Sequence, residues 1–188
     1  LHSTSRRQRQ MCIRDRDDFM YQYALPILNE RAGTGNPFFS VLLSISNHPP
    51  YVIPPYFHPH SDVLEEQIVE YADWSIRQFM QAAEKQPWFD NTIFVFLGDH
   101  GKMVGTPECE MPQSYNHIPL MIYGKDIKPG VYDGFGGQVD VSPTLLGLLN
   151  ISYLQNNFGV NLLEEERPCM FFTADNLIGA RDSVNMFI

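Results

Sequence analysis

The stretch Asn91-Thr92-Ile93-Phe94-Val95-Phe96-Leu97-Gly98-Asp99-His100-Gly101 is an apolar run that ends in an acid and an imidazole between two glycines. Its uninterrupted apolar residues predict a β-strand buried on both faces, as in a parallel sheet with helices on either side. Ligands of such sheets gather at the carboxyl ends of the strands, where the loops separate and leave a crevice. We therefore expect Asp99 and His100 to project from a strand end into a functional site.

The pair of Asp99 and His100 has the chemistry of a metal site. A carboxylate oxygen beside an imidazole nitrogen suits Mn²⁺ or Zn²⁺ better than Ca²⁺, which prefers all-oxygen surroundings. Two ligands do not complete a site, and a purely structural interpretation stays open. In that interpretation, Asp99 caps the turn that follows the strand and His100 packs against it.

A second apolar run, residues 38–46, predicts another strand, and it is followed by Asn47-His48-Pro49-Pro50. Residues 61–83 lie between the two runs, and their apolar side chains recur every three or four positions, which predicts a helix. Strand, helix and strand in this order predict a right-handed parallel crossover. That topology would bring His48 to the same edge of the sheet as the Asp99-His100 pair.

The sequence predicts three helices with distinct start and stop signals. The first covers residues 17–31 and is expected to be interrupted near Pro26. The second begins at Asp62, which has capping-box spacing to Glu65, and stops before Pro87. The third begins at Ser142 as its cap, with Pro143 in the first helical position. Short strands are expected within residues 114–124 and 168–172.

Residues 88–102 resemble the metal-binding segment of the sulfatase branch of the alkaline phosphatase superfamily, and most of all that of the lipoteichoic acid synthase and phosphoglycerol transferase group. The Asn47-His48-Pro49 segment and the stretches 114–124 and 139–149 match in the same order, so the resemblance covers about residues 36–172. It implies an α/β, alkaline phosphatase-like fold whose mostly parallel sheet is flanked by helices and incomplete at its amino-terminal side.

The resemblance also implies roles for single residues. Asp99 and His100 would complete a divalent metal site, and His48 would be a catalytic and substrate-binding residue at the phosphoryl group. An imidazole there could donate to a phosphoryl oxygen or protonate a leaving alkoxide; alternatively, His48 is a turn residue held by two prolines. His117 would line the substrate pocket or only bond to loop backbone, and Lys102 would contact the anionic substrate or remain solvated.

His58 and His60 alternate in a proline-rich loop without a predicted strand beneath them, so we expect a surface loop rather than a metal pair. Cys109 and Cys169 lack CxxC spacing and a neighbouring ligand cluster. They could pair in an oxidising compartment or be two ordinary thiols.

The reaction implied by the resemblance is the metal-dependent transfer or hydrolysis of phosphate esters through a covalent intermediate. Its nucleophile would come from a segment upstream of everything in this chain. One alternative is a sulfuric ester hydrolase, although such family members more often pair Asp with Asn to hold calcium, which His100 does not match. The other alternative is a non-catalytic binding module that kept the fold.

Charge and composition divide the chain at residue 16. Residues 1–16 carry five arginines against one aspartate and no apolar periodicity, which indicates a non-native scar, although a basic arm for nucleic acid is the functional alternative. Residues 17–188 are expected to be the carboxyl-terminal part of a catalytic domain. Since the chain carries a net charge of −9, this body is strongly acidic and does not favour nucleic acid.

No segment approaches the roughly 20 apolar residues needed to span a bilayer. A membrane anchor is therefore expected only in the full-length protein. From the resemblance, that protein would act at the extracytoplasmic face of a bacterial membrane on a lipid- or glycan-linked phosphate or sulfate ester.

Overall fold

The computed structural model describes residues 16–103, 105–107, 109–174 and 176–188, which contain both helices and sheets. The α/β class predicted from the sequence is therefore observed. The elements in chain order are α1 (Asp17–Gly33), α2 (Leu64–Ala83), a 3₁₀ turn (Phe89–Asn91), β1 (Phe94–Leu97), α3 (Gln113–Asn116), β2 (Leu120–Tyr123), α4 (Gln138–Leu148), β3 (Met170–Ala174), β4 (Leu177–Arg181) and β5 (Met186–Phe187). They fall into two compact units that meet in sequence between Thr92 and Ile93.

The first unit is built on α1 and α2. Tyr21 of α1 stacks on Phe79 of α2 with ring centroids 5.0 Å apart. Between the helices, the buried carboxylate of Asp18 accepts hydrogen bonds from the hydroxyl groups of Tyr56 (2.5 Å) and Tyr71 (2.6 Å). Helix α1 runs through Pro26 without the predicted interruption. Burial raises the pKa of Tyr21 to about 12, with a smaller contribution from the charge of Asp17.

The strand predicted at residues 38–46 is not formed. These residues belong to neither of the two sheets found in the described chain. Their apolar side chains are exposed, with Phe39 at 85% and Val41 and Leu43 at 72% each. The end of the segment is fixed, because the Asp17 carboxylate accepts hydrogen bonds from the backbone of Ile45 and Ser46 (3.0 Å each). An extended apolar segment needs a neighbouring strand to form a ladder, and this one has none among the described residues.

Helix α2 begins one residue later than the capping-box spacing predicted. Its cap position is Val63, which makes no side-chain cap bond, and the helix ends at Ala83. The Ser61 hydroxyl instead accepts from the Val63 N–H at 3.0 Å, which ends the loop before the helix. His58 and His60 are exposed in this loop, as expected. The Glu70 carboxylate accepts hydrogen bonds from the backbone N–H groups of His60 and Ser61. These bonds, and that from His60 most of all, hold the pKa of Glu70 below its usual value.

The second unit contains two antiparallel sheets. Strand β1 pairs with β2 in the register Phe94 to Tyr123, and β3, β4 and β5 form a three-stranded sheet. β1 is partly buried rather than enclosed on both faces. The parallel crossover expected to lead into β1 is therefore not formed among the described residues, since its first strand has no ladder partner. The strands expected within 114–124 and 168–172 are both present.

Helix α4 begins at Gln138, four residues before Ser142, which the sequence predicted as the cap. The start is set by Asp140, whose carboxylate accepts from the N–H of the cap residue Gly137 at 2.8 Å. Pro143 lies inside the helix and cannot donate to the carbonyl of Val139. Gly159 packs against that carbonyl so closely that a Cβ on it would lie 2.1 Å from the oxygen.

In the described part of the chain, none of the helices combines the length and apolar character required to cross a membrane. Cys109 and Cys169 are free thiols, so the disulfide considered for them is not formed.

Candidate active site

Residues 98–101, here called the turn, follow β1 with a bend at Asp99, and the segment that precedes β2 holds them at both ends. The N–H of Gly98 donates to the carbonyl of Pro119 at 3.3 Å, and the N–H of Gly101 donates to that of Tyr115 at 2.7 Å. The two glycines that frame the motif therefore fix its position on the neighbouring segment.

Gly101 fits this place because it has no side chain. A Cβ on Gly101 would lie 2.0 Å from the carbonyl oxygen of Ser114, a distance that no packed structure tolerates. The same addition at Gly98 would meet Ile118 at 3.3 Å, which demands only a small adjustment. Gly101 is thus required because the backbone of Ser114 lies so close to it, and not because of its dihedral freedom.

Asp99 and His100 point into solvent from this turn, with side chains 79% and 55% exposed. The Oδ1 atom of Asp99 accepts from the backbone N–H of His100 at 2.9 Å. The Oδ2 atom lies 3.9 Å from Nε2 of His100, too far for a direct hydrogen bond. The carboxylate thus has one oxygen fixed and the other facing the imidazole.

The tautomer of His100 follows from its backbone contact. Nδ1 lies 2.7 Å from the carbonyl oxygen of Gly101. A carbonyl oxygen only accepts, so Nδ1 carries the proton and the neutral ring keeps its lone pair on Nε2. This arrangement, with a backbone carbonyl behind the imidazole, is the usual way in which proteins orient a metal-binding histidine.

The residues present fit a divalent metal. Zinc lies about 2.0–2.2 Å from nitrogen and oxygen ligands. Asp99 Oδ2 and His100 Nε2, 3.9 Å apart, can therefore both contact one ion. Within the described residues, no group of three or more His, Cys, Asp and Glu side chains could hold a metal, so an ion held by this pair would need further ligands.

Three aromatic or basic residues lie near the pair in sequence or in space. Tyr115 stacks on the His100 ring, with centroids 5.3 Å apart and planes inclined by 20°, which restricts the imidazole on its second side. His117 ends α3, where its N–H donates to the carbonyl of Gln113 at 2.8 Å and its side chain is exposed. Lys102 is also exposed, directly after the turn.

His48 belongs to the first unit and is exposed. Its N–H donates to the carbonyl of Ile45 at 3.1 Å, which forms a turn, and its Nδ1 lies 2.7 Å from the carbonyl oxygen of Pro49. As in His100, the carbonyl contact assigns the proton to Nδ1 and leaves Nε2 directed away from the chain. The convergence of His48 with Asp99 and His100 stays a prediction.

Gln138 is the site neighbour that the sequence did not indicate. Its side-chain Nε2 donates to the carbonyl oxygens of Gly98 (3.2 Å) and Asp99 (2.8 Å). A single glutamine close to a predicted helix has no sequence pattern that predicts such a contact. Only the earlier start of α4 places Gln138 in its first turn, 39 residues beyond Asp99 in the chain.

A buried ion pair fixes the start of α4. Asp140 is fully buried, and both its carboxylate oxygens accept from Nε of Arg167 at 2.8 and 2.9 Å. Burial acts to raise the pKa of Asp140, but hydrogen bonds from Arg167 and from the N–H groups of Val160 and Gly137 outweigh it. The pKa of Asp140 is therefore held below its usual value.

The structure is similar to a crystal structure of a protein in the alkaline phosphatase superfamily from Vibrio parahaemolyticus, with a TM-score of 0.81 and 26% sequence identity. The similarity covers 91% of this chain and 43% of that one. The fold is therefore that of the alkaline phosphatase superfamily, which confirms the fold expected from the sequence.

Within this superfamily, the family model described as Sulfatase matches residues 3–151, and the chain belongs to the sulfatase family. It is 28% identical over 158 residues to the lipoteichoic acid synthase-like protein YvgJ of Bacillus subtilis, covering 70% of this chain. It is 29% identical over 121 residues to a choline-sulfatase of Rhizobium meliloti, covering 57% of this chain. The chain spans 25% and 22% of the length of these two relatives.

Proposed function

We propose that this chain supplies part of a metal-dependent enzyme that transfers or hydrolyses phosphate esters in the manner of a phosphoglycerol transferase. The observation that carries the proposal is the geometry of Asp99 and His100. Oδ2 of the carboxylate faces the unprotonated Nε2 of the imidazole across 3.9 Å at the end of β1. The relatives named lipoteichoic acid synthases support phosphate over sulfate.

Asp99 and His100 are the residues proposed to hold the ion, which is Mn²⁺ or Zn²⁺ rather than Ca²⁺ because one ligand is a nitrogen. Held by these two residues, a divalent ion would lower the pKa of a hydroxyl nucleophile and neutralise charge on the group being transferred. The exposure of both side chains leaves room for the ester and for further ligands.

His48 is proposed to act on the phosphoryl group from the first unit. In its imidazolium form, Nε2 can donate to a phosphoryl oxygen or give its proton to the departing alkoxide. The contact of Nδ1 with the carbonyl of Pro49 supports this role, because it orients the ring with Nε2 outward. Lys102 and His117, both exposed, are proposed to bind the anionic ester.

The nucleophile and the remaining metal ligands are proposed to come from upstream of this chain, which would then form the carboxyl-terminal part of the catalytic domain. The exposed apolar side chains of residues 38–45 support this, since such a segment is stable in water only when another element covers it. In the proposed reaction, the oxyanion of the nucleophile forms a bond to phosphorus while the ester P–O bond breaks, and the departing alkoxide takes a proton from His48. The oxygen of an acceptor alcohol or water then forms a bond to phosphorus, the bond between phosphorus and the nucleophile breaks, and His48 takes the proton of the acceptor.

The complete enzyme is proposed to act at the extracytoplasmic face of a bacterial membrane on a lipid- or glycan-linked ester. A sulfuric ester hydrolase is the second candidate, favoured by the similarity to a choline-sulfatase. The two candidates share the metal site and differ in the ester that is cleaved.

The test uses the native protein that contains this chain, with Mn²⁺ added, on a chromogenic phosphate diester and on an aryl sulfate. Asp99→Ala and His100→Ala are each expected to abolish metal-dependent turnover of the phosphate diester, because each removes one ligand. The matched controls are Asp73→Ala and His58→Ala, which change an exposed aspartate and an exposed histidine in the first unit and should retain turnover.

Turnover retained by both Asp99→Ala and His100→Ala would refute the site. Faster turnover of the sulfate than of the phosphate by the wild-type protein would move the reaction to sulfate ester hydrolysis. Metal-dependent turnover of neither ester would favour a binding module over an enzyme.

A further inference from the structure

The side chain of Gln138 contacts the backbone of the candidate metal site. The side-chain amide donates to the carbonyl of Asp99 at 2.8 Å and to that of Gly98 at 3.2 Å. The side chain therefore spans from the first turn of α4 to the turn at the end of β1.

The contact with Asp99 matters because of the peptide unit to which that carbonyl belongs. The peptide bond between Asp99 and His100 is planar, so its C=O and N–H point in opposite directions. Gln138 holds the oxygen, and Oδ1 of Asp99 accepts from the N–H on the other side at 2.9 Å. Rotation of this one peptide unit would release both hydrogen bonds.

The orientation of the two proposed ligands depends on that same peptide. With Oδ1 occupied by the His100 N–H, the other carboxylate oxygen, Oδ2, faces Nε2 of the imidazole. A donor on the carbonyl also polarises the amide and strengthens the N–H as a donor, because successive hydrogen bonds reinforce one another.

The position of Gln138 is itself fixed by hydrogen bonds at the start of α4. It follows the cap residue Gly137, whose N–H donates to Asp140 at 2.8 Å. Asp140 is fully buried and also accepts from Arg167 and from the N–H of Val160 at 2.8 Å. The amide of Gln138 therefore extends from a helix start that the buried Asp140 anchors.

We propose that Gln138 is a positioning residue that fixes the Asp99-His100 peptide and thereby presents Oδ2 and Nε2 together to a divalent ion. The inference rests on the proposed function, since it assigns Gln138 a part in that metal site. It concerns the backbone of the site, and Gln138 itself contacts neither the ion nor the substrate.

The test compares Gln138→Met with Gln86→Met in the native protein. Methionine keeps the length of the side chain and removes the amide donor. Gln86 is a matched control because its Nε2 also donates to a backbone carbonyl, that of Ala82 at 3.1 Å, but in the first unit. Mn²⁺ affinity is measured by calorimetry without substrate, and exchange of the His100 amide proton is measured without metal.

Gln138→Met should weaken Mn²⁺ binding by about ten-fold, the lower end of the effect of changing a residue that supports metal ligands. It should also speed exchange of the His100 amide proton by about ten-fold, without changing the thermal midpoint of unfolding. Gln86→Met should change neither Mn²⁺ binding nor exchange of the His100 amide proton.

If Gln138→Met binds Mn²⁺ as tightly as the wild-type protein while Asp99→Ala loses binding, the inference about Gln138 is overturned and the metal site stands. Equal Mn²⁺ binding by the wild-type protein and Asp99→Ala would overturn the metal site, and the inference with it.

Discussion

At the scale of single residues, the candidate site is organised by backbone contacts rather than by side-chain packing. Gly98 and Gly101 donate to the carbonyls of Pro119 and Tyr115, and the carbonyl of Gly101 accepts from the His100 ring. The turn thereby selects the tautomer in which Nε2 of His100 is unprotonated. Asp99 and His100 could be selected from the sequence because they follow an apolar run, whereas the tautomer could not, since it depends on a contact made after folding.

Gly101→Ala should destabilise the protein and weaken Mn²⁺ binding, because its Cβ would lie 2.0 Å from the backbone oxygen of Ser114. Displacing backbone atoms to relieve an overlap of this kind costs about 1–3 kcal/mol of unfolding free energy. Gly130→Ala is the matched control, since nothing lies within 4 Å of its added Cβ. Urea unfolding measures both variants, and an unchanged midpoint in Gly101→Ala would show that the turn is not held as described.

At the scale of elements, α4 connects the candidate site to a buried ion pair. Asp140 and Thr144 both face the loop of residues 158–167, where the N–H of Leu162 donates to the Thr144 hydroxyl at 3.1 Å. Arg167 also donates to the carbonyl of Phe158. The helix is thus fixed at its start by charge-assisted hydrogen bonds and along its length by the loop.

Asp140→Asn should lower the free energy of unfolding by about 3–5 kcal/mol at pH 7, because it leaves the charge of Arg167 without its partner in a buried place. Asp73→Asn is the matched control. Asp73 pairs with Arg77 on the surface, where both side chains are more than half exposed, and such a pair contributes about 0–1 kcal/mol.

The pH dependence of the same pair has a definite sign. The pKa of Asp140 is lowered in the folded state, so its stabilisation is present above the ordinary aspartate pKa of about 3.9 and is lost as the pH falls through the lowered folded value. The stability difference between wild type and Asp140→Asn should therefore shrink below about pH 4. A difference that stays constant from pH 7 to pH 3 in urea titrations would contradict this assignment.

The sequence predicted the existence of α4 but not its beginning. Ser142 and Pro143 have the local pattern of a helix start, and that pattern favoured them over Gly137. The observed start depends on Arg167, which lies 27 residues beyond Asp140, and a partner at that distance leaves no local signal. Gln138 was missed for the same reason, since its acceptors lie about 40 residues earlier in the chain.

At the scale of the whole molecule, the chain is an α/β member of the sulfatase family whose described residues form two compact units. Helices α1, α2 and α4 and strands β1, β2 and β3 could be predicted, because each follows from local periodicity and turn residues, whereas α3, β4 and β5 were not predicted. The strand expected at residues 38–46 could not be decided locally. Its apolar side chains favour a buried strand, but a strand also needs a neighbour, and sequence composition does not say where that neighbour lies.

We expect Asp99 and His100 to hold a divalent ion together in the native protein. Anomalous X-ray diffraction from crystals of that protein grown with Mn²⁺ locates such an ion. We predict a manganese peak within about 2.3 Å of both a carboxylate oxygen of Asp99 and Nε2 of His100, close to the usual metal–ligand distance. A peak bound by Nδ1 of His100, or manganese bound elsewhere with this pair unliganded, would contradict it.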